Sequence, residues 1–130
     1  MQSIKELRIL SVVSAVSYFD AEELFKPYKE YKIKQLHIDV NDNATENVSR
    51  YFNNVYKFVD NALKEGNVLI HCYGGVSRSS SFVLSYLMKS QNIDYKTAYK
   101  ILKERRPGVH PNENFRNQLL QFERSLGIKK

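Results

Sequence analysis

Apolar residues fall in blocks whose spacing changes along the chain, and those changes mark its elements. "LRILSVV", residues 7–13, is short, branched and nearly continuous, as a buried strand is. Asp20 then stands ahead of "AEELFKPY", a helix that Pro27 shortens or ends. In "QLHIDV", Leu36, Ile38 and Val40 alternate with polar residues and predict a strand with one face inward; the following "NDNATEN" reads as a polar, glycine-free, mobile loop.

From residue 45 to residue 64 the spacing shifts to threes and fours. Val48, Phe52, Val55, Val59 and Leu63 share one face of a predicted long helix, with Gly66 beyond its end as a cap. "NVLIH" is apolar on successive residues, which predicts a parallel strand buried on both faces. Residues 79–91 carry Phe82, Val83, Leu84, Tyr86, Leu87 and Met88 around most of a helix circumference, so that helix belongs in the centre. Asp94 can cap "YKTAYKILKERR", with Tyr95, Ala98, Ile101 and Leu102 inward. Asn112 can cap "ENFRNQLLQFERSL", with Phe115, Leu119, Phe122 and Leu126 inward and Gly127 ending it. Strands alternating with helices, then a helical C-terminal half, predict an α/β fold: a central, mostly parallel twisted sheet of about four to five strands flanked by about five to six helices.

Composition adds bounds. A chain of 130 residues fits one domain, 1–130, able to bury a core without metal or disulfide staples. With 42% apolar and 26% charged residues it is not a long disordered segment. No apolar run nears the roughly 20 residues of a membrane helix, and "MQSIKELRIL" lacks the layout of a secretory signal. The single cysteine cannot form an internal disulfide, which suits a reducing compartment. The expected location is the cytoplasm or nucleus, with no membrane insertion. The formal charge of +6 favours anionic partners, yet Lys and Arg are scattered, so charge alone does not argue for nucleic acid. Nothing in the sequence sets the oligomeric state.

The chemistry concentrates in "VLIHCYGGVSRSS", residues 68–80. A strand running into a glycine-bearing turn and then a helix converges backbone N–H groups and the positive helix end on one point, an anion site. Gly74 and Gly75 permit a tight curl, and the planar Arg78 guanidinium can grip two phosphate oxygens at once. Cys72 stands at the mouth of this cradle, in a field that favours its thiolate. Ionisation is a minor effect beside positioning and charge stabilisation, because uncatalysed phosphate monoester hydrolysis is so slow. Such a reaction also needs a proton donor for the leaving oxygen, and Asp39 and Asp42 both precede Cys72.

"HCYGGVSRSS" resembles the His-Cys-x5-Arg-Ser/Thr signature of cysteine-dependent protein phosphatases, and "RILSVV", "HIDVND", "YFNNVYKFVDNAL", "SSSFVLSYLM" and "RPGVHPNENFRNQL" extend the resemblance to the small dual-specificity branch. The resemblance implies Cys72 as nucleophile, Arg78 as phosphate clamp, and Asp42, two positions after Val40, as general acid and then base. It implies that Ser79 helps the sulfur leave. Tyr73, Gly74, Gly75, Val76 and Ser77 give loop amides, and His71 and Asn112 support the loop. No metal or other cofactor is implied, and the partner is a phosphorylated protein. Too few residues precede Asp42 for the pocket-deepening loop of tyrosine-only relatives, so phosphoserine and phosphothreonine are expected substrates beside phosphotyrosine.

Two departures accompany it. The family domain usually opens with a further strand pair and helix, so part of the sheet is expected to be missing here. The loop reads Tyr-Gly-Gly where many relatives have Ala-Gly after a small or charged residue. Phosphoinositide phosphatases resemble this loop but typically place lysines within it; Tyr73 and Val76 stand at positions where such a charge could sit, which ranks lipid substrates lower. A phosphate-binding module without turnover is the rival from another class.

Overall fold

The computed structural model describes residues 9–15, 33–72 and 77–128. Among them are three strands, β1 (Ile9–Ala15), β2 (Lys34–Ile38) and β3 (Asn67–His71), and four α-helices, α1 (Phe52–Leu63), α2 (Ser77–Gln91), α3 (Tyr95–Arg105) and α4 (Glu113–Ser125). The helix expected after Asp20 lies outside the described residues. The strands form one parallel sheet in the order β2-β1-β3. This is the α/β class and parallel sheet that the sequence predicts.

The middle strand is the one buried on both faces: Ser11, Val12, Val13, Ser14 and Ala15 are all fully enclosed. β3 was expected in that role. It instead lies beside β1 at the edge of the described sheet, with Val68, Leu69 and Ile70 half-buried. Continuous apolar character alone does not distinguish a central strand from its neighbour.

The helix predicted from residue 45 begins later. Residues 42–45 form bends, Ser49–Tyr51 makes a 3₁₀ turn, and α1 starts at Phe52. Val48, Phe52, Val55 and Val59 face the core as predicted, but Leu63 is 47% exposed and Ala62 takes the inward position. A helix of 3.6 residues per turn reaches the core from Val59 by either a three- or a four-residue step, and here the smaller residue makes the contact. Ile101 is likewise at the surface, 37% exposed, while Tyr95 and Ala98 hold the inner face of α3.

α2 is the central helix. Phe82, Leu84 and Met88 are fully enclosed, and Ser79, Ser80, Ser81 and Ser85 are buried with them. Buried serines cost little here because two bond back along the helix: Ser81 Oγ donates to the Ser77 carbonyl at 2.7 Å and Ser85 Oγ to the Phe82 carbonyl at 2.9 Å. Asn92, with φ 53°, follows α2, and Gly127, with φ 67°, follows α4; both are left-handed helix stops. Asp94 and Asn112 cap as predicted, accepting from Thr97 N and Phe115 N, each at 2.8 Å.

Phe52 locks α1, α2 and α4 together. Its ring meets Phe82 edge-on at 6.0 Å and Phe122 at 4.9 Å. Phe52→Ala should therefore cost about 3–5 kcal/mol, measured as a lowered urea midpoint at unchanged slope. A cost below about 1 kcal/mol would show that these rings do not hold the helices in place.

Candidate active site

Parallel strands deliver their C-terminal ends to the same edge, and both candidate reactive groups lie just past such ends. Asp42 follows β2 and Cys72 follows β3. With β1 between those strands, two strand spacings separate their ends, about 10 Å, a gap that a phosphoryl group and a guanidinium can fill.

Three bonds organise this edge. A hydrogen bond of 3.3 Å joins Cys72 Sγ to Ser79 Oγ, so the hydroxyl is placed to donate to the sulfur when the thiol is ionised. Arg78 Nη1 donates to the Val40 carbonyl at 3.1 Å, tying the head of α2 to the chain leaving β2, two residues before Asp42. Asn112 Nδ2 donates to Asp42 Oδ1 at 2.7 Å.

Asn112 does more than cap. Its Oδ1 caps α4, its backbone N–H donates to Ser77 Oγ at 2.7 Å, and its amide holds Asp42. Ser77, expected to supply only a loop amide, is the first residue of α2 and also accepts this bond with its side chain. Asp39 is exposed just beyond β2. Tyr73, Gly74, Gly75 and Val76 lie outside the described residues.

His71 ends β3, and the strand register sets it directly beside Ser14 of β1. The Ser14 Oγ to His71 Nε2 separation is 2.7 Å, a bond between neighbouring strands of the sheet. Ser14 was not anticipated, because its pairing depends on a register that no local pattern encodes. Burial lowers the pKa of His71 from 6.5.

The segment after β2, expected to be mobile, is bonded throughout. Asn43 Oδ1 accepts from Thr45 N at 3.0 Å and Glu46 N at 2.8 Å, and Glu46 Oε1 accepts from Asn41 N at 2.8 Å. Aspartate and asparagine side chains commonly close such turns.

The family profile "Dual specificity phosphatase, catalytic domain" matches residues 2–125. The chain belongs to the dual specificity phosphatase catalytic-domain family. It is 41% identical over 106 residues to human dual specificity protein phosphatase 6, covering 81% of this chain and 27% of that protein. It is 33% identical over 130 residues to human dual specificity protein phosphatase 9, covering 99% of this chain and 33% of that one. The chain thus spans about a quarter to a third of the length of these relatives. Among solved structures, the human tyrosine phosphatase-like serine/threonine/tyrosine-interacting protein superposes with a TM-score of 0.88 at 30% identity, covering 96% of this chain and 83% of that one. Among the described residues, no helix is long and apolar enough to cross a membrane.

The lowered His71 pKa carries a sign. Between that value and 6.5 the unfolded chain binds more protons than the folded one, so the contribution of His71 is full above pH 6.5 and declines as pH falls below it. His71→Gln, which can still pair with Ser14, should flatten the fall in melting temperature as pH drops below about 6.5. An identical fall in wild type and variant would remove His71 as its source.

Proposed function

We propose that this chain is a cysteine-dependent phosphoprotein phosphatase that hydrolyses phosphotyrosine and phosphoserine or phosphothreonine through a phosphocysteine intermediate. The observation that carries the reading is the Cys72–Ser79 bond at the head of α2, beside an Arg78 anchored to the strand end that bears Asp42.

In the first step the Cys72 thiolate attacks phosphorus, the S–P bond forms, and the P–O bond to the leaving group breaks. Arg78 and the N-terminal amides of α2 take up charge on the equatorial oxygens, and Asp42 gives its proton to the departing oxygen. In the second step water attacks phosphorus and passes a proton to Asp42. The S–P bond then breaks, the Ser79 hydroxyl stabilises the returning thiolate, and inorganic phosphate leaves. Nucleophile, acid and cation all come from this chain, and the family's name supports phosphoprotein substrates of both kinds.

A second reading has one specific support: the superposition on a protein whose name calls it phosphatase-like and interacting. In that reading the cradle holds a phosphorylated residue without turning it over.

An aryl phosphate assay separates them. Wild type should release phosphate, Cys72→Ser should lose at least about a thousandfold in kcat, and Asp42→Asn about a hundredfold. Mass spectrometry of acid-quenched wild type should find phosphate on Cys72. Phosphopeptide binding without phosphate release by the wild type would favour the binding module.

A further inference from the structure

Three amide side chains at the start of α4 reach across to the segment that follows β2. Asn112 holds the Asp42 carboxylate itself at 2.7 Å. Asn114 Nδ2 donates to the carbonyls of Asn43, at 3.2 Å, and Glu46, at 2.8 Å. Gln118 Nε2 donates to the same Glu46 carbonyl at 2.8 Å and to Asn114 Oδ1 at 2.9 Å, while its Oε1 accepts from Val48 N and Ser49 N, each at 2.9 Å. Asn114 and Gln118 are one helical turn apart, so they present their amides as a pair along one stripe of α4.

We propose that Asn114 and Gln118 are positioning residues for proton transfer from Asp42, fixing residues 42–48 on α4 so that the carboxyl group is in place before substrate arrives. The inference rests on the reading of Asp42 as the general acid. It goes further, because it assigns the acid's geometry to α4 rather than to a loop that closes over substrate.

The physical case is one of geometry. Asp42 is exposed and lies in a bend, where an untethered carboxyl group would sample many orientations. Misplacing a reacting group by about 1 Å can cost about a hundredfold in rate. Each amide here donates at one end and accepts at the other, so each is fixed at both ends and cannot simply rotate away. The Glu46 carbonyl receives two amides, and Glu46 in turn clasps Asn41 N through Oε1. The backbone on both sides of Asp42 is therefore held. Because Oδ1 accepts the Asn112 N–H, the proton to be transferred belongs on Oδ2.

A positioning role predicts a dependence that a merely structural role does not. Protonation of the leaving group matters for a basic leaving oxygen and little for an acidic one. The readout is the ratio of kcat/KM for phenyl phosphate to that for difluoromethylumbelliferyl phosphate, with urea midpoints measured alongside. Asn114→Ala and Gln118→Leu should each lower that ratio about tenfold, and Asp42→Asn should lower it further. Added to Asp42→Asn, neither should change the ratio again, because the group they position is gone. Gln118 also caps the 3₁₀ turn, so should Gln118→Leu fail to fold, Asn114→Ala decides alone. An unchanged ratio in folded Asn114→Ala, or a further fall in the Asp42→Asn background, would overturn the proposal. Should Asp42→Asn itself leave the ratio unaltered while Cys72→Ser remains inactive, the assignment of the acid fails and the proposal falls with it.

Discussion

The arrangement depends on how the head of α2 seats against the C-terminal edge of the parallel sheet. That one junction sets three things at once. It places Ser79 Oγ 3.3 Å from Cys72 Sγ, it lets Arg78 reach the Val40 carbonyl, and it offers Ser77 Oγ to Asn112. The junction is held from behind by packing rather than by charge: Phe82, Leu84 and Met88 on α2 are fully enclosed among Phe52, Phe115 and Leu119. Interiors packed this densely transmit position faithfully, so a core contact at Phe52 bears on the geometry of the Cys72 sulfur through the central helix α2.

Polar bonds then convert a fixed scaffold into a site. The head of α2 and the chain around Asp42 are far apart in sequence, and beside the Arg78–Val40 bond they are connected through Asn112, on a third element. A single carboxamide suits this task because it offers both donor and acceptor, and here each is used: one for the start of α4, the other for Asp42. Losing it would leave a helix end uncapped and a carboxylate untethered together.

Local chemistry was legible where it is encoded locally. Caps at Asp94 and Asn112 and the stop at Gly127 are written within a few residues, and the structure carries each where the pattern puts it; the strand before Cys72 and the helix after its loop are likewise present, the helix beginning at Ser77, two residues ahead of the expected start. Periodicity resolved faces less finely: it favoured Leu63 over Ala62 and Ile101 as inward, because apolar size is a poor guide to which side of a helix meets the core. What could not be read are the pairings made across long sequence separations. Ser14 meets His71 only through the β1–β3 register, and Gln118 meets Glu46 only once α4 has packed. The polar composition of "NDNATEN" suggested freedom, whereas its asparagines and glutamate are the groups that bind it down.

The central claim is that Cys72, Arg78 and Asp42 converge on one phosphoryl group. A crystal structure with orthovanadate tests it most directly. The account predicts vanadium bonded to Cys72 Sγ, equatorial oxygens held by Arg78, and Asp42 Oδ2 within hydrogen-bond reach of the apical oxygen opposite the sulfur, with the Asn112–Asp42 bond intact. Vanadate bound elsewhere, or Asp42 turned away from the apical oxygen, would contradict it.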